Sequence, residues 1–209
     1  MTNILRLSIV LAIVTIIAGF VLAEIFTITK PRIELQKQAK TNEALRKVLP
    51  EAELIIPVER KVPVTDAEGH VLYEKTEVEY YKGYASQDTS NIVGYAFKAE
   101  GMGYSSVIET MVGIKPSGEI IKIEIISQKE TPGLGAKCVE DKPFKGDSWS
   151  TRQFIGKSIE SLKVDKDGGP IVSITGSTIT SRAITNSIRE SMKQILSKID
   201  TSAQQQIGE

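Results

Sequence analysis

The chain has 209 residues, with 26 Lys and Arg against 26 Asp and Glu, and a single Cys and a single His. The even charge leaves no basic excess for general nucleic-acid binding. One Cys and one His cannot build a Cys/His zinc site, a Cys-ligated iron–sulfur cluster or an internal disulfide, so the fold must rest on its core.

Leu7 to Ala23 reads LSIVLAIVTIIAGFVLA, uncharged between Arg6 and Glu24, and Ile25, Phe26 and Ile28 extend it toward Lys30. Roughly 20 apolar residues cross the hydrocarbon of a bilayer. A cleaved signal peptide has a shorter apolar stretch, of about 7–15 residues, for which Val21 and Ala23 would mark the cut. The longer run favours an uncleaved transmembrane anchor over residues 1–29. Charge leaves its direction open, because Arg6 marks a cytoplasmic N-terminus while Lys30, Arg32 and Lys37 argue the other way.

Beyond the anchor, Ile33, Leu35, Ala39, Ala44, Leu45, Val48 and Leu49 alternate with charges and predict a membrane-proximal helix over 30–50, stopping before Pro50. Strands are expected at Leu54–Val64 and Val71–Tyr81, around a turn at Asp66-Ala67-Glu68-Gly69. Asn91–Ala99, Ser106–Ile114 and Glu119–Ser127 follow as strands, the last two joined at Pro116-Ser117-Gly118. Ala183, Ile184, Ile188, Met192, Ile195, Leu196 and Ile199 then recur at helical spacing, giving an amphipathic helix over about 180–199 and a polar tail over 201–209. The sum is a single N-terminal transmembrane helix followed by an α+β domain over 51–200 with a mainly antiparallel sheet.

Catalytic constellations are thin. His70 reads as a solvated turn residue, Cys138 as a half-buried apolar one, and Glu140-Asp141 as surface. No catalytic residue and no metal site is expected. Three other segments stand out. Gly101-Met102-Gly103-Tyr104-Ser105-Ser106 joins two strands, and its glycines allow close approach of backbone to a ligand. Glu130-Thr131-Pro132-Gly133-Leu134-Gly135 is a stiff loop after a strand. Ile174-Thr175-Gly176-Ser177-Thr178-Ile179-Thr180-Ser181 precedes the last helix, with more hydroxyls than one N-cap needs. A helix start also receives phosphate, and Arg182 is one turn on. Each segment has a plain structural reading too: turn, loop and cap.

Together, in this order and behind an anchor, they resemble the FMN-binding domain shared by the G subunit of Rnf electron-transport complexes and the C subunit of the sodium-pumping NADH:quinone oxidoreductase. The family's attachment motif stands here as Thr175-Gly176-Ser177-Thr178, with Ser177 where Ala is usual, and Val172 stands where the family often has Asp. At this length the chain looks more like the Rnf protein than its larger oxidoreductase relative. The resemblance implies FMN held covalently by a phosphoester to Thr178, made by a flavin transferase from FAD outside the cytoplasm. It implies an extracytoplasmic domain on a single-pass protein of the inner or cytoplasmic membrane, anchored in the lipid bilayer. It also implies the other Rnf subunits as partners in electron transfer between ferredoxin and NAD coupled to ion transport. Leu134, the backbone N–H groups near Thr131 and Gly133, and the Tyr104 ring are the candidate ring contacts, Gly103 and Glu130 are further expected cofactor-binding residues, and Thr175, Gly176, Ser177 and Arg182 form the phosphate side. Two alternatives stay open: an extracytoplasmic binding or assembly module without redox chemistry, and a covalent-flavin carrier outside an Rnf complex.

Overall fold

A computed structural model describes residues 2–66, 68, 70–146 and 148–207. The expected turn at 66–69 therefore falls partly outside the described residues, at Ala67 and Gly69. The chain divides into two compact units, Met1–Asn42 and Glu43–Glu209.

The first unit is helical. Helix α1 runs without a break over Thr2–Val48, 47 residues or roughly 70 Å, so the anchor and the helix expected after it are one element. Pro31 sits inside it and leaves one carbonyl without its helix donor. From Ile4 to Ile28 the apolar side chains are exposed all round the helix. The hydroxyls of Ser8, Thr15 and Thr27 donate back to the carbonyls of Ile4, Leu11 and Ala23. Such a surface suits hydrocarbon, where every polar group must be satisfied within the helix. This is the one helix among the described residues long and apolar enough to cross a membrane.

The second unit is built on one sheet. Strands β1 (Leu54–Thr65), β2 (Val71–Tyr84), β3 (Ile92–Met102), β4 (Val107–Ile114) and β5 (Ile120–Ser127) lie in the order of the sequence. Every neighbouring pair is antiparallel. β-Branched runs separated by turn residues dictate this meander. Alternation along β3, β4 and β5 gives that part of the sheet two covered faces, while β1 buries no residue and most of β2 is exposed. On one, Ala96 and Met111 pack with Ala44, Leu45, Val48 and Leu49. Lys47 donates to Glu124 at 2.7 Å beside them.

The other face is covered by helix α2 (Thr178–Ile207), whose Ile184, Ile188, Met192 and Ile195 join Tyr95, Phe97, Ala99, Ile108 and Val112 in the larger core. α2 starts two residues before the expected helix and runs on through part of the expected tail. Between β5 and α2 the described residues form four short 3-10 turns, at Gly135–Val139, Thr151–Phe154, Ile159–Ser161 and Asp165–Asp167. This segment delivers Cys138, Trp149, Phe154, Leu162 and Ile174 to the same core. The Trp149 indole donates to the Cys138 carbonyl at 3.1 Å and meets the Phe154 ring edge-on at 5.8 Å. Cys138 is buried, and loss of hydration pushes its thiol up to about 12. It stays a neutral packing group.

Candidate functional site

The three segments singled out in the sequence converge. The β3–β4 connection, the loop after β5 and the start of α2 enclose a cleft of about 560 Å³, within the range of small-molecule sites. It is lined by Tyr104, Glu130, Thr131, Leu134, Gly135, Gly176 and Ser177, and by Thr178, Ile179 and Thr180 from the first turn of α2. The structure thus brings together seven of the eleven residues expected at the site. Gly103, Gly133, Thr175 and Arg182 are not among the lining residues. Gly135, Ile179 and Thr180 line it without having been expected, although each lies inside a motif already marked by its glycines or hydroxyls.

The start of α2 is assembled by local chemistry. Gly176 has φ +76°, a conformation that strongly favours glycine, and a Cβ there would lie 3.2 Å from the Leu134 side chain. The Ser177 N–H donates to the Ile174 carbonyl at 2.9 Å. The Ser181 hydroxyl accepts from the Ile174 N–H at 2.9 Å and donates to the Ser177 carbonyl at 3.1 Å. Ser181 thereby stitches the preceding loop to the helix. Its own N–H bonds the Ser177 carbonyl. Among the described residues, the N–H groups of Thr178, Ile179 and Thr180 are the unbonded first donors of the helix. Thr178 is half-buried, and its hydroxyl makes no hydrogen bond among the described residues.

The hydroxyls of the motif divide by role. Ser173 is held by Asp165, whose carboxylate accepts its hydroxyl at 2.5 Å and its N–H at 3.1 Å. Thr180 donates to Glu130 at 2.6 Å. The hydroxyls of Ser177 and Thr178 are left available at the cleft, and that of Thr175 also bonds nothing among the described residues. Arg182 forms a two-pronged ion pair with Asp167, at 2.6 Å and 2.9 Å, and that pairing holds the Asp167 carboxyl below its ordinary range. The guanidinium expected for phosphate is engaged there instead.

Glu130 is 5% exposed, yet its carboxylate is fully partnered. It accepts N–H bonds from Tyr104 at 3.1 Å, Ser105 at 2.9 Å and Ser106 at 3.1 Å, besides the Thr180 hydroxyl. Burial opposes its ionisation, but the four donors outweigh burial and hold the carboxyl below its ordinary 4.5. A group that binds its proton less tightly when folded contributes stability that is complete above the ordinary value and lost as pH falls through the lowered one. Denaturation measured on either side of pH 4.5 should show wild type losing more stability than Glu130→Gln on acidification. Parallel curves would show that this carboxylate does not titrate with folding.

The chain matches the FMN-binding domain family over residues 103–193 and the RnfG N-terminal region over residues 1–48. It is 32% identical over 189 residues to the G subunit of the proton-translocating ferredoxin:NAD(+) oxidoreductase complex of Clostridium ljungdahlii, covering 88% of each chain. It is 34% identical over 205 residues to the G subunit of the Na(+)-translocating ferredoxin:NAD(+) oxidoreductase complex of Acetobacterium woodii, covering 92% of this chain and 93% of that one. Among solved structures it is similar to the C subunit of the Na(+)-translocating NADH-quinone reductase of Parabacteroides distasonis. The identity is 18% and the TM-score 0.49, over 77% of this chain and 92% of that one. With its apolar N-terminal helix and relatives that are subunits of ion-translocating complexes, it is a single-pass membrane protein. The chain belongs to the family of G subunits of Rnf-type ion-translocating oxidoreductases.

Proposed function

We propose that this chain is the membrane-anchored flavoprotein subunit of an ion-translocating ferredoxin:NAD+ oxidoreductase, with FMN joined through its phosphate to the Thr178 hydroxyl and the domain on the extracytoplasmic side. It is an electron-transfer subunit, not a stand-alone catalyst, and its partners are the other subunits of the complex. The observation that carries the reading is the Thr178 hydroxyl itself. Like that of Ser177 it is unbonded among the described residues and half-buried, but it stands in the first turn of α2, with the three free N–H groups of Thr178, Ile179 and Thr180, in a cleft of ligand size.

The residues fit the group. A phosphate bonded to both a ribityl chain and Thr178 carries one negative charge, which the N–H groups of Thr178–Thr180 and the helix dipole match without a basic side chain. Arg182 is therefore free to serve Asp167. Leu134 and Ile179 offer apolar surface, Tyr104 an aromatic ring, and the Thr131 segment backbone groups toward a flat ring. FMN supplies the redox chemistry when bound, and the protein supplies its position and surroundings. Attachment from FAD forms the Thr178 Oγ–phosphorus bond, breaks the pyrophosphate bond and releases AMP, the hydroxyl proton passing to the flavin transferase. No base in this chain is required.

The test is direct. Co-expressed with a flavin transferase, the full chain should give a yellow protein whose flavin fluorescence survives denaturation and electrophoresis. The same chain expressed without the transferase should give none. A colourless co-expressed protein would remove the covalent-flavin reading and favour a binding or assembly module.

A further inference from the structure

Glu130, expected among the cofactor-binding residues, is a buried carboxylate in the wall of the cleft that faces its own chain rather than a ligand. Every acceptor position it offers is taken from within the chain. Three of its donors are the successive N–H groups of Tyr104, Ser105 and Ser106 at the β3–β4 turn, and the fourth is the Thr180 hydroxyl on α2. The two partners lie 26 residues before it and 50 residues after it in the chain. The surrounding backbone is built to admit it. A Cβ on Gly103 would lie 2.6 Å from its Oε1, and a Cβ on Gly135 would lie 2.7 Å from its Oε2 and 2.7 Å from the Thr180 hydroxyl. The glycines of both loop motifs thus make room for this side chain.

We propose that Glu130 is a positioning residue, a clasp that holds the Tyr104 turn against the first turn of α2 and so fixes the Tyr104 ring over the cleft. The choice of donors supports this. Glu130 reaches α2 through a hydroxyl and takes none of the N–H groups of Thr178, Ile179 or Thr180, which remain for a phosphate. Its grip on the opposite wall is through backbone, including the N–H of Tyr104. That residue is 72% exposed and has no core packing to fix it. A neutral amide at position 130 keeps the shape but presents one acceptor oxygen and an N–H₂ group to four donors.

One arm of the test is independent of flavin. In the unmodified full chain, amide hydrogen exchange at Tyr104, Ser105 and Ser106 should rise about tenfold or more in Glu130→Gln, the loss expected for bonds to a charged acceptor. In Thr180→Val, which removes one of the four donors and keeps the fold, the same amides should exchange several-fold faster. The second arm rests on the FMN reading. In flavin-loaded protein, Glu130→Gln should carry as much flavin as wild type but emit more strongly, because tyrosine quenches flavin emission on contact. Tyr104→Phe should brighten to the same degree, and adding Glu130→Gln to it should change nothing further. Unchanged exchange in both variants would overturn the clasp. Faster exchange with unchanged emission would overturn its link to the Tyr104 ring. A wild type that takes up no flavin would sink only the FMN reading, since the exchange arm still decides the clasp.

Discussion

Thr178→Val should abolish the fluorescent flavin band, while Ser177→Ala should leave it intact. The two hydroxyls are adjacent and both line the cleft, so the pair of variants separates the attachment point from its neighbour. Valine keeps the branched shape of threonine and removes only the oxygen that would bond phosphorus. The Thr178 hydroxyl bonds nothing among the described residues, so its loss should change stability by no more than about 0.5 kcal/mol. Ser177 acts on the fold through its backbone, which its alanine variant retains. The measurement is in-gel fluorescence with a melting curve for each variant. A band that persists in Thr178→Val at wild-type intensity would move the attachment elsewhere.

Gly101→Ala should be the most damaging small change where the sheet meets α2. Its Cβ would lie 2.4 Å from the Ala183 carbonyl oxygen and 2.9 Å from the Ala183 carbonyl carbon. Both are backbone atoms in the second turn of α2, so no side-chain rotation relieves the clash and the helix must lift from β3. Overpacking of this kind costs about 1–3 kcal/mol, and for a domain of this size each kcal/mol lowers Tm by about 2–4 °C. Lifting α2 also moves Thr178 in the wall of the cleft, so flavin loading should fall with stability. Gly133→Ala is the contrast. A Cβ there meets nothing within 4 Å, and only its φ of +78° opposes it, at about 1–2 kcal/mol. Equal melting temperatures for Gly101→Ala and wild type would mean that α2 does not seat on β3 at this point.

The sheet was legible in the sequence because each strand is a run of β-branched and aromatic residues closed by turn residues. Its limits were less so. β2 continues to Tyr84 and β3 to Met102, beyond the expected ends at Tyr81 and Ala99. Gly83 and Gly101 look like strand breakers, but each occupies a place where a Cβ would meet a packed neighbour. The start of α2 was likewise set by loop bonds from Ser177 and Ser181 that periodicity does not record.

The site was half legible. Glycines and hydroxyls marked the three segments that meet at the cleft, because turns and helix starts leave local signatures. What each charged group does there was hidden. Glu130 draws its donors from segments far apart in the chain, and Arg182 is taken by Asp167, 15 residues before it. Such partners are chosen by tertiary packing. The four 3-10 turns between β5 and α2 were hidden for the same reason, since their buried residues follow no single period.

The nearest-neighbour order of the five strands has a consequence for biosynthesis. Each strand pairs with the one made just before it, so loop closure is short and the sheet assembles in step with the emerging chain. The wall of the cleft that carries Thr178 belongs to α2, which follows all five strands in the chain. It docks only on a sheet already made, so a modifying enzyme that requires the assembled cleft would act after the sheet has folded and pass over chains broken off before α2.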